Sequence, residues 1–178
     1  MVQATDYPWS GKVTITVNPK TAKKFTVFVR VPNRTTSKLY TPEPKVSGLK
    51  SLAVNGKKIS AKIKNGYATI TREWLAGDKI ELELPMEIQI VKADEHIKAD
   101  RSQIALCYGP LIYTIETADQ PKLDLSPDVK SLATEWRGDL LGGVLVIKGQ
   151  WSDGSPLLAI PNYARQNRGG KSAVWLKE

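Results

Sequence analysis

Apolar residues recur at every second position through most of the first half of this chain. In 12–17, Val13, Ile15 and Val17 share one side and Thr14 and Thr16 the other. In 24–31, Phe25, Val27, Val29 and Val31 share one side. A period of two is that of a strand with one buried face, and it excludes a helix, whose apolar period is 3.6. Turn signals separate the runs. Asn55-Gly56 and Asn65-Gly66 stand between short strand-like segments, and Gly77-Asp78 opens KIELELPM. Asn-Gly tolerates positive φ at both positions, as a type I′ hairpin turn requires. No stretch sustains an i, i+3, i+4, i+7 apolar pattern over three turns. Short strands punctuated in this way predict an all-β chain, an antiparallel β-sandwich of jelly-roll-like type.

The pattern changes after Pro85. Residues 87–103 are mixed and charged, and IALCYGPLIYTI (104–115) is apolar on both sides. Such a run reads as a central strand buried on both faces and bent at Gly109-Pro110. Residues 117–139 read as loop, 143–149 and 155–161 as short strands, and 162–178 as a Gly-containing loop leading to a final strand with Trp175. We therefore expect two consecutive sandwich lobes, 1–91 and a smaller 92–178, which could pack as one unit.

Charge and composition bound the partners. Residues 1–66 carry 13 Lys/Arg against Asp6 and Glu43, a net +11, whereas the remainder carries 13 against 16, a net −3. A basic half raises nucleic acid or another polyanion. No zinc finger, helix-turn-helix or RNP-like pattern supports nucleic acid, and Lys57, Lys58, Lys62 and Lys64 read as edge and hairpin lysines that keep strands soluble. No nucleic-acid or membrane partner is expected: the longest apolar run is far short of the roughly 20 residues of a membrane helix. The first ten residues lack a basic and apolar leader pattern, although a precursor could have carried one. The single cysteine, Cys107, excludes an internal disulfide.

Candidate chemistry is sparse. Glu81 and Glu83 lie two apart on one strand face, roughly 6.5–7 Å from each other, near the separation of an inverting glycosidase pair. They project side by side, however, and an acid and a base must flank a bond from different sides. With Lys79 beside them they read as a solvated face. One histidine, His96, and one cysteine do not make a zinc site, and we expect no metal. His96 sits in an exposed charged stretch and Cys107 in a buried strand, where it serves as a small core residue. A Cys–His pair would require the fold to bring 96 and 107 together. Neither a phosphate-binding glycine loop nor a Gly-x-Ser-x-Gly elbow occurs, so no cofactor is expected. Whether a Ca²⁺ clips a loop stays open. Among the aromatics, Trp74 caps a core. Trp136, Trp151 and Tyr163 are candidate carbohydrate-binding residues, flat platforms for sugar faces, and the alternative is that they plug the ends of the sandwich.

Several strings recur together in order: TDYPWSGKVTITVNP, FTVFVRVP, LAVNGK, GYATITREWLAGDKIELELPM, IALCYGPLIYTIE and IPNYARQNRGGKSAVWL. From about residue 5 to the end this resembles the C-terminal β-sandwich region of glycoside hydrolase family 127, the bacterial β-L-arabinofuranosidase-like proteins. Arg165 stands where similar sequences often have an aromatic, which argues against a stacking role for that loop. In that family the chemistry resides in an (α/α) barrel, with a glutamate and a zinc-bound cysteine, and Cys107 does not match that cysteine's segment. The resemblance therefore implies no catalytic residue here. It implies an accessory domain that buttresses a catalytic barrel of the same parent protein, which acts on arabinose-containing glycans, in the bacterial periplasm or cytoplasm. A carbohydrate-binding module for plant-type oligosaccharide is the alternative, and a hydrolase with an unrecognised site the second.

Overall fold

The computed structural model describes residues 1–34 and 37–178. Among the described residues seventeen strands follow one another: β1 (Val2–Thr5), β2 (Lys12–Val17), β3 (Lys23–Arg30), β4 (Tyr40–Glu43), β5 (Ser51–Val54), β6 (Lys57–Lys58), β7 (Lys62–Lys64), β8 (Tyr67–Trp74) and β9 (Asp78–Glu83) come first. Then come β10 (Ile88–Ala93), β11 (Gln103–Tyr108), β12 (Leu111–Glu116), β13 (Ala133–Arg137), β14 (Val144–Gln150), β15 (Pro156–Pro161), β16 (Ser172–Ala173) and β17 (Leu176–Lys177). The only helices there are three single-turn 3-10 segments. The chain is all-β and its pairings are antiparallel, as the alternation predicts.

The chain forms two compact units, 1–36 with 46–86 and 37–45 with 87–178. In the first, a five-stranded sheet (β1-β2-β9-β5-β6) faces a three-stranded one (β3-β8-β7). Their inner faces supply one core: Val13 and Val17, Val27 and Val29, Leu52 and Val54, Ala68, Ile70 and Trp74, Ile80 and Leu82. Every one of these is an alternate position of its strand, so the period of two sets the core directly. Trp74 is fully buried, and its indole N–H donates to the Phe25 carbonyl at 3.0 Å. A buried indole N–H usually finds such an acceptor.

Both Asn-Gly pairs form the expected turns. φ is +50° at Asn55 and +74° at Gly56, and +51° and +76° at Asn65 and Gly66. Positive φ at both central residues gives the turn the twist of its flanking strands.

The second unit is one curled sheet, β13-β14-β15-β12-β11-β10-β4, with β16 and β17 attached to β12 and β11. It departs from the sequence expectation in two places. Residues 104–115 are not one bent strand. They are the hairpin β11–β12, with Tyr108 opposite Leu111 and Gly109 (φ +56°) leading the turn. Gly followed by Pro suits a type II′ turn, because Gly takes the positive φ at the first central position and Pro fixes a negative one at the second. Residues 117–139 are not all loop either, since β13 is an edge strand against β14. Edge strands exposed on both faces lose the alternation by which strands are recognised.

The β11–β12 hairpin pairs directly only near its turn. At its open end β17 pairs with β11 at Gln103 and Ile104, and β16 with β12 at Ile115 and Glu116. The C-terminal segment thus fills the cleft between two diverging strands. Apolar residues cover both faces here. Ile104, Leu106, Tyr113, Ile115 and Leu176 lie in one cluster and Val91, Ala105 and Cys107, packed by Val174 and Trp175, in another. This two-sided burial is why the 104–115 run has no polar side.

The edge strand β4 comes from a segment between β3 and β5, yet it completes the second unit by pairing with β10. The Gln89 side chain is buried and donates to the Pro44 carbonyl at 2.7 Å. Residues 87–178 alone would therefore expose the β10 edge and leave a buried amide unpaired.

Two outcomes are expected. Gly56→Val should destabilise the protein by about 1–3 kcal/mol while Gly56→Asn costs less, as measured by chemical denaturation, because the strain lies in the backbone. No atom lies within 4 Å of a Cβ at Gly56 to confuse the reading. A polypeptide spanning 87–178 should self-associate on size-exclusion chromatography, and adding residues 37–45 through a flexible linker should return it to a monomer.

Candidate functional site

Glu81 and Glu83 lie on the same face of β9, as alternation requires, and both are committed to structure. Glu81 Oε2 accepts the Gly56 N–H at 2.7 Å. Glu83 Oε1 accepts from Lys50 Nζ at 2.8 Å, and this hydrogen bond, followed by the charges of Lys50 and Lys12, holds its carboxyl below the ordinary value. A general acid needs the opposite shift, toward the working pH. The side-by-side pair ties β9 to its neighbours instead of facing a common bond.

Beside them Asp78 closes a second polar clamp. Its carboxylate accepts from the Leu75 N–H (2.9 Å) and from Asn55 Nδ2 (2.8 Å), with Arg72 Nη2 3.7 Å away. Asn55 Oδ1 in turn accepts the Lys79 N–H at 2.8 Å. One Asp–Asn pair thereby locks the 55–56 hairpin to the turn that opens β9. The Leu75 N–H first, then Asn55 and Arg72, hold the Asp78 carboxyl below its ordinary value of 3.8. A depressed carboxyl stabilises the fold fully above its unfolded value, and that contribution is lost as pH falls through the folded one. The stability gap between wild type and Asp78→Asn should accordingly be constant near neutrality and shrink below about pH 4, near the unfolded carboxyl's own titration, when followed by urea titration.

The strongest polar constellation is in the second unit. Glu116, the last residue of β12, is 1% exposed. Arg168 Nη2 lies 2.8 Å from Glu116 Oε2 and 2.5 Å from Asp119 Oδ2, and its Nη1 donates to Asp119 Oδ1 at 2.7 Å. The Gln166 N–H donates to Glu116 Oε1 at 2.5 Å. Gln166 itself has φ +63°. Close by, Lys171 N donates to Thr117 Oγ1 at 3.0 Å, and a Cβ at Gly170 would stand 2.4 Å from that oxygen. Every oxygen of the two carboxylates has a donor, so the cluster is an anchor for the 162–171 loop and not a reactive centre. Next to it lies a recess of about 270 Å³ lined by Asp119, Gln120, Lys122, Trp151, Asp153 and Ser155. The Gln120 amide is spent on Leu158, and Asp153 on Ser155 and Lys122.

The remaining sequence candidates are dispersed. Trp136 projects from β13, 53% exposed, with its ring against Gly143, where a Cβ would come within 2.8 Å of the indole. Tyr163, in the 3-10 turn Asn162–Ala164, is 61% exposed. Trp151 corrects the expectation of an exposed ring: it is 2% exposed and packs in the core with Leu157, against Leu123 and Leu125. Its polar neighbours in sequence hide that it closes β14 beneath the 121–127 loop. His96 is exposed and pairs with Asp94 at 2.6 Å. Cys107 is buried, its thiol donating to the Gly109 carbonyl at 3.4 Å. Among the described residues, no group of three or more His, Cys, Asp or Glu is arranged to hold a metal ion. Arg165, singled out in the sequence, donates from Nε to Ser172 Oγ at 2.6 Å. The Glu116–Arg168 pair was missed in the sequence, although Glu116 ending an apolar run was its one available sign.

Fold and polar groups together define an all-β region of two units, a pair of facing sheets and a curled sheet, whose carboxylates serve as staples. Residues 1–86 match the middle-domain model of the GH127 β-L-arabinofuranosidases, and residues 88–177 match the family's C-terminal domain model. The chain belongs to glycoside hydrolase family 127. It is 31% identical over 153 residues to the non-reducing end β-L-arabinofuranosidase of Bifidobacterium longum subsp. longum, covering 80% of this chain and 21% of that protein. The structure superposes on a GH127 β-L-arabinofuranosidase from Geobacillus stearothermophilus T6 with a TM-score of 0.83 and 34% identity, over 99% of this chain and 30% of that one. A further GH127 β-arabinofuranosidase gives a TM-score of 0.84 at 26% identity, covering 98% and 31%. The chain thus spans under a third of the length of these relatives.

Arg168→Ala would leave Glu116 and Asp119 without their cation and should cost about 3–5 kcal/mol in a denaturant titration, as breaking a buried pair does. Arg168→Lys should recover only part, because the ammonium cannot reproduce the forked contact.

Proposed function

We propose that the chain is a non-catalytic accessory region of a family 127-like glycoside hydrolase acting on arabinose-containing glycans, and that it buttresses the (α/α) barrel of its parent protein. The observation that carries this reading is where the carboxylates are spent. Glu81 holds a turn, Glu83 holds Lys50, Asp78 holds Leu75 and Asn55, and Glu116 and Asp119 hold Arg168. Most glycoside hydrolases use two carboxyl groups facing one bond, one of them free to give a proton, and the cysteine of the family's own chemistry has no counterpart in Cys107, which lies buried with its thiol on the Gly109 carbonyl. The arabinofuranosidases that the chain resembles are about three to four times longer, which supports placing the chemistry outside these two domains.

A carbohydrate-binding module is the second reading. The exposure of Trp136 and Tyr163 favours it, and the burial of Trp151 removes the third ring.

Incubation of the 178-residue chain with an aryl β-L-arabinofuranoside should give no turnover above the buffer rate. Turnover that disappears in Glu81→Gln or Glu83→Gln would overturn the accessory reading. Calorimetric binding of neutral arabinan fragments, abolished by Trp136→Ala, would move the assignment to the binding module.

A further inference from the structure

The outward face of the β3-β8-β7 sheet differs from the rest of the surface. Alternation turns Val27, Val29, Ala68 and Ile70 into the core and leaves Phe28, Arg30 and Tyr67 outside. Strand register sets these in two adjacent rows. Phe28 lies opposite Thr69, and Thr69 opposite Lys62; Arg30 lies opposite Tyr67, and Tyr67 opposite Lys64. Phe28 is 63% exposed. Its ring stands edge-to-face with Tyr67, centroids 6.5 Å apart at 87°, and the Arg30 guanidinium lies 5.2 Å from the Tyr67 centroid. Among the described residues, no carboxylate lies within ion-pair distance of Lys62 or Lys64. The acid on the outward side of β8 is Glu73, at the far end opposite Lys24.

The charge is specific to this unit. It carries 13 Lys/Arg against five Asp/Glu, whereas the other unit carries 13 of each. The whole net charge of +8 therefore belongs to the unit that bears this face. An exposed phenyl ring among unneutralised cations contributes nothing to the core, and aromatic rings beside positive charge suit a ligand that is both anionic and flat-faced.

We propose that this face binds an acidic polysaccharide, a chain of uronate-type sugars whose carboxylates meet Lys62 and Lys64 and one of whose pyranose C–H faces lies on Phe28. Arg30, whose Nη1 also donates to the carbonyls of Asn65 (3.4 Å) and Gly66 (3.3 Å), adds to the field. A glycan fits better than nucleic acid because the two rings are perpendicular. Successive bases stack on rings that lie roughly parallel, whereas a single sugar needs one exposed ring. The inference goes beyond the accessory role and does not rest on it.

The test is affinity electrophoresis and calorimetry of the 178-residue chain with polygalacturonate, at low and at physiological salt. The chain should be retarded, with affinity falling as salt rises. Lys62→Glu/Lys64→Glu should weaken binding by about tenfold or more, as loss of two phosphate-like contacts does. The charge-neutral Phe28→Ala should weaken it by about fivefold or more, as loss of one stacking ring does. Lys20→Glu/Lys79→Glu, an equal charge change at exposed lysines elsewhere in the unit, and Trp136→Ala should leave it within about twofold, since surface charge away from a contact acts weakly. Circular dichroism of each variant confirms the fold. No retardation, equal loss in the Lys20/Lys79 control, an unaffected Phe28→Ala, or equally tight binding of single-stranded DNA of matched charge would each overturn the proposal.

Discussion

A carboxylate at the inner end of a β-strand cannot remain there without a cation, and the second unit is organised around that constraint. Glu116 ends β12 with its side chain inside the protein, and Arg168 is the cation that compensates it. Arg168 also holds Asp119, while the Gln166 N–H takes the other Glu116 oxygen. These bonds fix the 162–171 loop, which delivers β16 and β17 into the opening between β11 and β12. The curled sheet keeps its hydrogen bonds across a hairpin that would otherwise leave two bare strand edges. The pair is poor evidence of net stabilisation, since desolvation opposes it. Its role is to select one path for the C-terminal loop.

The first unit solves a similar problem with smaller parts. In its five-stranded sheet no strand exceeds six residues, and the turns help to hold register. Asp78 and Asn55 lock two turns to each other, and Glu81 reaches the backbone of the same hairpin. The acidic residues that invite a catalytic reading are thereby used up as acceptors. That use is what connects the architecture to function. A family 127 region whose carboxylates staple turns is suited to support and to binding, while the same residues freed and opposed would suit hydrolysis.

Much of this was legible in the chain. The period of two identifies β2 and β3 together with their inward residues and sets Glu81 and Glu83 on one face of β9, and the Asn-Gly pairs locate two turns with the correct backbone geometry. The core places of Trp74, at a strand end, and Cys107, in an apolar run, and the exposed place of His96, in a charged stretch, are also legible in the chain. Three features depart from what the local pattern suggests. Residues 104–115 read as one strand because two-sided burial erases the polar alternation that would mark a hairpin. β13 reads as loop because an edge strand largely exposed on both faces erases it from the other side. Trp151 reads as a surface ring because polar neighbours surround it in sequence, while apolar ones surround it in space.

The sequence by itself determined the all-β class, the inward faces of the first unit and its two type I′ turns, because these depend on contacts between near neighbours and on the φ preference of single residues. The family too was written in the ordered strings. Tertiary structure alone decided that β4 serves the second unit, that Arg168 answers Glu116 across 52 residues, and that Phe28, Tyr67 and two lysines meet on one sheet face. Strand pairing across long sequence separations is set by which edges remain unpaired after the local hairpins form. No local pattern along the chain carries that information.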